Sequence, residues 1–158
     1  MYTIFDLLEK FVKIQEFGYE FYIKLSDNED MDNRLRILAK AFSKQEKRYI
    51  LIYNQIKEES KKYNDVSVDF FVYDKSSQLI YQFFKMHGNQ IPASLNEMMK
   101  IALNFEKDNL ALILRVKGFF VQKEQDVNTD NYKILNNVIE EEKKHIKDLE
   151  SYCKKYKL

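Results

Sequence analysis

The sequence contains few of the residues that form turns, since its 158 residues include only 3 Gly and 1 Pro. Average usage of about 12% for the two residues together would give about 19. A β-sandwich or β-barrel needs a turn roughly every 8–12 residues, so the shortage argues strongly against an all-β fold. It also excludes collagen-like chains and disordered chains rich in Pro and Gly. The composition therefore predicts long helices with few connections.

Other absences narrow the function classes. The single cysteine, Cys153, allows neither an internal disulfide nor a metal site built from paired cysteines. No run of about 18 apolar residues and no basic-then-apolar leader is present, which predicts no membrane span and no signal peptide. The 26 Lys and Arg balance the 25 Asp and Glu, so no electrostatic argument favours nucleic acid or an anionic membrane as partner. We expect a cytoplasmic protein.

What the chain does contain is enough apolar material for a core, with 45% hydrophobic and 15% aromatic residues. One domain over residues 1–158 is expected at this length. Apolar residues recur with the helical period of 3.6 over four segments, at about residues 3–26, 32–63, 95–124 and 130–156. Ser94 is an N-cap candidate for the third segment, with Glu97 completing a capping box. The fold prediction is an all-α bundle of four helices.

The connection between the second and third segments is about 30 residues long, whereas the other two connections are short turns. Within it, residues 76–86 have the pattern of a short helix. A connection of this length can run the full length of a bundle. The order short, long, short therefore favours a ferritin-like four-helix bundle with one crossover between helices 2 and 3 over an up-down-up-down bundle.

Polar residues interrupt the apolar stripe of every predicted helix near its middle. They are Gln15, Glu46, Tyr49, Glu106, Glu142 and His145. In an antiparallel bundle these positions can meet at one level. Buried carboxylates must neutralise or find a partner, and the stripes offer no inward Lys or Arg. A divalent cation is the simplest compensation, and the pair Glu142 and His145, three residues apart on one helix face, adds weight to it.

These segments resemble the rubrerythrin-type branch of the ferritin-like superfamily. The matching stretches are Ile14–Tyr22, Phe42–Tyr49, Ile101–Lys107 and Val138–His145. The resemblance covers all four helices but not the connection, and only the Glu142-x-x-His145 motif is specific by itself. It implies a di-iron or di-manganese carboxylate site, a homodimer, and redox handling of peroxide or iron. Because one cysteine excludes the family's rubredoxin-like domain, an electron donor would be a separate protein.

The resemblance also implies the role of each residue. In the family's arrangement Glu46 and Glu142 bridge two metal ions, and Glu106 and His145 complete one of them. Gln15 and Tyr49 stand where the family has the Glu and His ligands of the other ion. One metal position is therefore expected to be intact and the other eroded, with one ion of iron or manganese rather than two, or none.

Several alternatives remain open at this level. Glu142 and His145 could lie on a solvated face, because residues 140–144 form a charge run. Glu46 and Glu106 could belong to a buried hydrogen-bond network in which Tyr49 donates to a carboxylate. A register shift of one residue would make Glu16 a ligand in place of Gln15. The alternative function is a non-catalytic bundle that has lost its metals and serves as an interaction or dimerisation module.

Overall fold

Five α-helices account for most of the chain in the computed structural model, which describes residues 1–158. They are α1 (Ile4–Asp27), α2 (Asn33–Glu59), α3 (Phe70–Met86), α4 (Leu95–Phe119) and α5 (Asp130–Lys155). The prediction of an all-α fold is confirmed, and α1, α2, α4 and α5 correspond to the four predicted helices. None of the five has the length and apolar character needed to cross a membrane.

Side-chain caps explain where three of the long helices begin. Asp32 accepts a hydrogen bond from the backbone N–H of Arg34 at 2.8 Å, and the Ser94 hydroxyl accepts one from Glu97 at 3.1 Å. Thr129 caps α5 in the same way. These bonds satisfy amides that have no partner inside the helix. The predicted Ser94 cap is confirmed, although the Glu97 carboxylate reaches back to the amide of Ala93 rather than to that of Ser94.

Two predicted helix ends are too late. The second helix, predicted to reach residue 63, ends at Glu59 and is followed by a 3₁₀ turn over Ser60–Lys62. The chain leaves the helix there because the following residues pair with the N-terminus, where β1 (Tyr2–Thr3) and β2 (Ser67–Val68) form an antiparallel two-stranded ladder. The start predicted at residue 3 is correspondingly one residue early.

The third predicted helix also ends earlier in the structure than expected. It corresponds to α4, which ends at Phe119 rather than near residue 124. The carboxylate of Asp126 accepts hydrogen bonds from the backbone N–H groups of Gln122 and Lys123, at 2.8 and 3.0 Å. These two amides are therefore unavailable for helical bonds. A second 3₁₀ turn, Glu124–Asn128, connects to α5.

The connection between α2 and α4 contains a helix longer than the predicted residues 76–86. Helix α3 begins after Asp69, whose carboxylate accepts from the Phe71 amide at 2.8 Å, and it packs against α1 and α4. Its buried side of Val72, Ile80 and Phe83 is accompanied by exposed apolar residues elsewhere on the helix. Because these exposed residues blur the helical period, the pattern shows only the second half of α3.

Helices α1 and α2 form one closely packed pair and α4 and α5 the other, with α2 contacting both α4 and α5. The apolar core is divided into a larger and a smaller cluster. Along each of the four long helices, the predicted polar positions fall between residues of the larger cluster and residues of the smaller one, except for Tyr49, which belongs to the larger cluster. On α1, for example, Gln15 lies between Ile14 of the larger cluster and Tyr22 of the smaller. The bundle therefore contains one buried polar layer between two apolar regions.

Candidate metal centre

Four side chains from three helices converge in the polar layer and are named here the Glu/His cluster: Glu46 from α2, Glu106 from α4, and Glu142 and His145 from α5. None is more than 2% exposed. One ligand atom each from Glu46, Glu106 and His145 lies within 4.8 Å of the other two. The imidazole of His145 is central, with Nδ1 3.1 Å from Glu106 Oε2 and Nε2 3.5 Å from Glu46 Oε1.

Glu142 joins the cluster from the same helix as His145. Its Oε1 lies 3.8 Å from His145 Nδ1, as expected for residues three apart on one helix face. The alternative of a solvated face for these two residues is wrong, because both are 0% exposed. That alternative was suggested by the charge run at residues 140–144, of which Glu140, Lys143 and Lys144 are exposed.

Most polar atoms of the Glu/His cluster lack a hydrogen-bond partner. They are Glu46 Oε2, both carboxyl oxygens of Glu106, Glu142 Oε1 and both ring nitrogens of His145. Buried polar groups in proteins are normally paired, and no Lys or Arg is among the buried residues. The cluster therefore presents convergent lone pairs without a protein cation to compensate them.

The surroundings oppose charge on these groups. Burial, followed by the nearby Glu106 carboxylate, raises the pKa of Glu46 and of Glu142 well above the ordinary value. Burial also lowers the pKa of His145 to about 4. The imidazole is consequently neutral at physiological pH, which is the state that binds metal ions. A cation in the cluster would oppose these shifts, because a nearby positive charge favours the ionised carboxylates.

One oxygen of Glu142 is already occupied. Gln15 Nε2 donates to Glu142 Oε2 at 3.3 Å, and the hydroxyl of Tyr53 donates to the same oxygen in a short hydrogen bond. Both donors orient the carboxyl group so that Oε1 faces His145. Tyr53 was not among the residues singled out by the sequence, although it lies seven residues, or two helical turns, after Glu46 on the same face of α2. That spacing could have revealed it.

Tyr49 lies at the edge of the cluster but turns its hydroxyl away from it. The ring stacks on His145, with centroids 4.0 Å apart and planes 11° from parallel. The hydroxyl donates to Asp148 Oδ2 at 2.8 Å, and burial together with Asp148 raises the pKa of the phenol. The carboxylate that accepts from Tyr49 is therefore outside the cluster, in contrast to the network considered from the sequence.

The remaining sequence alternatives are also decided by position. Glu16 is exposed on α1 while Gln15 is 0% exposed, so the shifted register is wrong.

Asn109, one turn after Glu106, is fully buried and both of its side-chain polar atoms lack a partner. Its amide extends the polar layer along α4.

A glycine faces the cluster from α1. A Cβ added at Gly18 would lie 3.2 Å from Phe105 Cε1 and 3.3 Å from the carboxyl carbon of Glu46, closer than most such contacts. The absence of a side chain therefore allows Glu46 and Phe105 to approach the backbone of α1.

Comparisons of the chain with protein-family models, with curated proteins and with solved structures gave no match. The chemistry of the Glu/His cluster is therefore the main guide to function. Carboxylates suit manganese, imidazole suits iron and zinc, and a mixed oxygen and nitrogen donor set fits divalent first-row metals in general. The residues present fit such an ion in number, type and burial.

Proposed function

We propose that the protein binds one divalent transition-metal ion, iron or manganese, through Glu46, Glu106, Glu142 and His145. The observation that carries the proposal is the convergence of three buried carboxyl groups and a neutral imidazole, most of whose polar atoms have no hydrogen-bond partner. Leaving buried polar groups unpaired costs about 1–3 kcal/mol each, and more for charged groups. An ion bound among them would offset this cost, and no Lys or Arg is buried there to do so instead.

The donor set supports one ion rather than two. Gln15 donates an amide N–H to Glu142, so only its neutral amide oxygen, which has no partner, is left for a metal ion. Tyr49 commits its hydroxyl to Asp148, so its only contact with the cluster is the ring face on His145. The two positions that would hold a second ion in the rubrerythrin-type arrangement thus offer one neutral amide oxygen, Gln15 Oε1, in place of a carboxylate and an imidazole.

The class of activity that we propose is redox handling of peroxide or iron, as in the rubrerythrin-type proteins that the sequence resembles. A bound iron or manganese ion would supply one-electron chemistry. The chain's own contribution would be to hold the ion in a buried site, with Tyr53 and Gln15 fixing the Glu142 carboxylate. Homodimer formation and a separate electron-donor protein are parts of the proposal that rest on the resemblance alone.

A second candidate is a metal-free helical bundle that serves as a non-catalytic interaction or dimerisation module. The hydrogen bonds from Tyr53 and Gln15 to Glu142 favour it, as do the raised pKa values of Glu46 and Glu142. Protonated carboxyl groups could pair with one another and keep the layer intact without an ion.

Metal content separates the two candidates. Protein freed of metal with a chelator is incubated anaerobically with ferrous or manganous ion, desalted and measured by elemental analysis. We expect about one ion per chain, with none retained by Glu142→Ala. Glu140→Ala, exposed on the same helix, is the matched control and retains the ion. Substoichiometric metal with an unchanged melting temperature would favour the metal-free module, since an ion bound only by the folded state must stabilise it. Two ions per chain would refute the eroded second position.

A further inference from the structure

Helices α3 and α4 form a face of the bundle on which large apolar side chains stay exposed. Phe71 and Met86, near the two ends of α3, are 58% and 69% exposed. Between the two helices runs a groove of about 190 Å³, whose lining includes Met86, Ala111 and Leu112. Exposed apolar side chains that border an apolar groove are typical of a protein interaction site. The α3–α4 face therefore has the character of a binding surface.

Two opposite charges line this groove at symmetric positions of α4. Asp108 and Arg115 lie seven residues apart, with Ala111 exposed between them. Seven residues are about two helical turns, so both charges lie on one side of α4, each about 5 Å along the axis from a midpoint at residues 111–112. Arg115 takes part in none of the ion pairs of the chain. Asp108 bonds to His87 through Oδ2 alone, which leaves Oδ1 for another donor.

A two-fold axis through that midpoint makes the arrangement complementary to itself. In an antiparallel pair of α4 helices, Asp108 of each copy comes opposite Arg115 of the other, and Ala111 meets its own counterpart. An interface between two identical chains related by a two-fold axis requires such self-complementarity. The small side chain of Ala111 at the crossing point allows the helix axes to approach to the usual distance of about 8–10 Å. The charges therefore indicate a second copy of the chain as the partner of this face.

The exposed side of α2 offers no such match. From Asn33 to Lys57 the only acidic residue is the buried Glu46. The exposed side chains of the same stretch include five cations: Arg34, Lys40, Lys44, Lys47 and Arg48. A two-fold axis on that side would bring like charges together, which opposes association.

The α3–α4 face is also large enough for a stable contact. The two helices contain 17 and 25 residues. At a rise of 1.5 Å per residue and a width of about 10 Å, they cover about 600 Å² in projection. That area is of the same order as the accessible surface of about 800 Å² that each partner buries in a standard interface.

We propose that a second copy of the chain binds to the α3–α4 face about a two-fold axis at Ala111, with the two α4 helices antiparallel and each Asp108 paired with Arg115 of the other copy. The inference deepens the homodimer part of the proposed function. It does not rest on the metal ion, because all residues of the Glu/His cluster belong to one chain. The apolar walls of the two grooves cover each other, and the two ion pairs fix the register of the helices.

Charge reversal tests the pairing. Sedimentation equilibrium at low ionic strength, where exposed charges are least screened, should show a dimer of the wild-type chain. Asp108→Arg and Arg115→Asp each bring like charges together across the axis and should raise the dimer dissociation constant by about tenfold or more. The double variant Asp108→Arg/Arg115→Asp exchanges the two charges and should restore the wild-type constant to within about threefold. Lys147→Glu, at an exposed position of α5 outside this face, is the charge control and should dimerise like the wild type.

A cross-link tests the position of the axis. In a Cys153→Ser background, Ala111→Cys places one thiol of each copy beside the axis and should give a disulfide-linked dimer under mild oxidation. Asn104→Cys, also exposed on α4, is the matched control. Its two copies lie about 22 Å apart along the helix axes, so they should stay unlinked. Circular dichroism verifies that each variant is folded.

Three results would overturn the proposal: a wild-type chain that stays monomeric at all concentrations, a dimer that the single charge variants leave intact or the double variant does not restore, and linkage through residue 104 rather than 111. The metal content of the same proteins is judged separately. Monomeric variants that retain manganese agree with both proposals, because the Glu/His cluster lies within one chain. A wild-type dimer that binds no metal would refute the metal-binding function and leave the interface in place.

Discussion

Replacement of Glu46 by Gln tests whether the unpartnered carboxyl groups make the metal-free protein less stable. The Glu46 side chain is 2% exposed, and its ligand oxygen lies within 4.8 Å of that of Glu106. Two negative charges at that distance repel by about 3.5 kcal/mol at an effective dielectric constant of about 20. If Glu46 instead stays protonated at pH 7, which is about 2.5 units above its ordinary pKa, keeping the proton lowers the free energy of unfolding by about 3.4 kcal/mol.

Glutamine has nearly the shape of glutamic acid but no charge, so it removes either cost. We expect Glu46→Gln to raise the free energy of unfolding of the metal-free protein by about 2–3 kcal/mol at pH 7. For a chain of this size that corresponds to a rise of roughly 4–12 °C in melting temperature. Urea and thermal unfolding followed by circular dichroism measure the change. Glu58→Gln, an exposed carboxylate on the same helix, should change stability by less than about 0.5 kcal/mol.

The stability difference between Glu46→Gln and the wild type should depend on pH. Because burial raises the folded-state pKa of Glu46 above the ordinary value of 4.5, the folded protein binds a proton that the unfolded chain releases. The stabilisation from this proton is fully present below pH 4.5 and is lost as pH rises from there through the folded-state pKa. The advantage of Glu46→Gln should therefore be largest at pH 7 and disappear near pH 4.5.

Metal should reverse the order of the two proteins. At a manganese concentration 100 times its dissociation constant, the wild type gains about 2.7 kcal/mol, while the glutamine variant, short of one ligand, gains much less. A metal-free Glu46→Gln protein that is less stable than the wild type at pH 7 would refute the reasoning. It would show that the carboxyl group belongs to a stabilising hydrogen-bond network rather than to an uncompensated site.

Three further predictions concern the same layer. Gly18→Ala places a methyl group against Phe105 and Glu46, and the overpacking cost of about 1–3 kcal/mol should exceed the gain in helix propensity of about 1 kcal/mol. Gly118→Ala, with no atom within 4 Å of the new carbon, should instead stabilise the protein. Equal unfolding curves for the two variants would contradict the close approach at Gly18. Tyr53→Phe leaves a buried Glu142 oxygen short of a donor and should lower the metal-free stability by about 1–3 kcal/mol in urea unfolding; an unchanged midpoint would contradict the hydrogen bond. Manganese affinity, measured by isothermal titration calorimetry, should fall as the pH is lowered, by about tenfold per pH unit for each proton that the metal displaces from its ligands, and an affinity independent of pH would argue against carboxylate ligands.

Much of the secondary structure followed from local patterns. The scarcity of Gly and Pro and the helical period predicted the four long helices, because a helix that buries one face has apolar residues at a regular spacing. The same reasoning placed Gln15, Glu46, Glu106, Glu142 and His145 on inward faces, and the structure buries all five. The ends of α2 and α4 were wrong because they depend on bonds to distant or non-periodic residues, the β1–β2 ladder and the Asp126 carboxylate.

Which side chains meet, and through which atoms, was decided only by the tertiary structure. Spacing shows that Tyr49 faces inward, but only the approach of α5 brings Asp148 within 2.8 Å of its hydroxyl and lays its ring on His145. The same holds for Tyr53 and Glu142, which are 89 residues apart, and for the close approach of Phe105 and Glu46 to Gly18. The sequence determined the faces of the helices because a face depends on neighbouring residues of one segment. Hydrogen-bond partners and close approaches between helices depend on how separate segments are packed, and that information is not local.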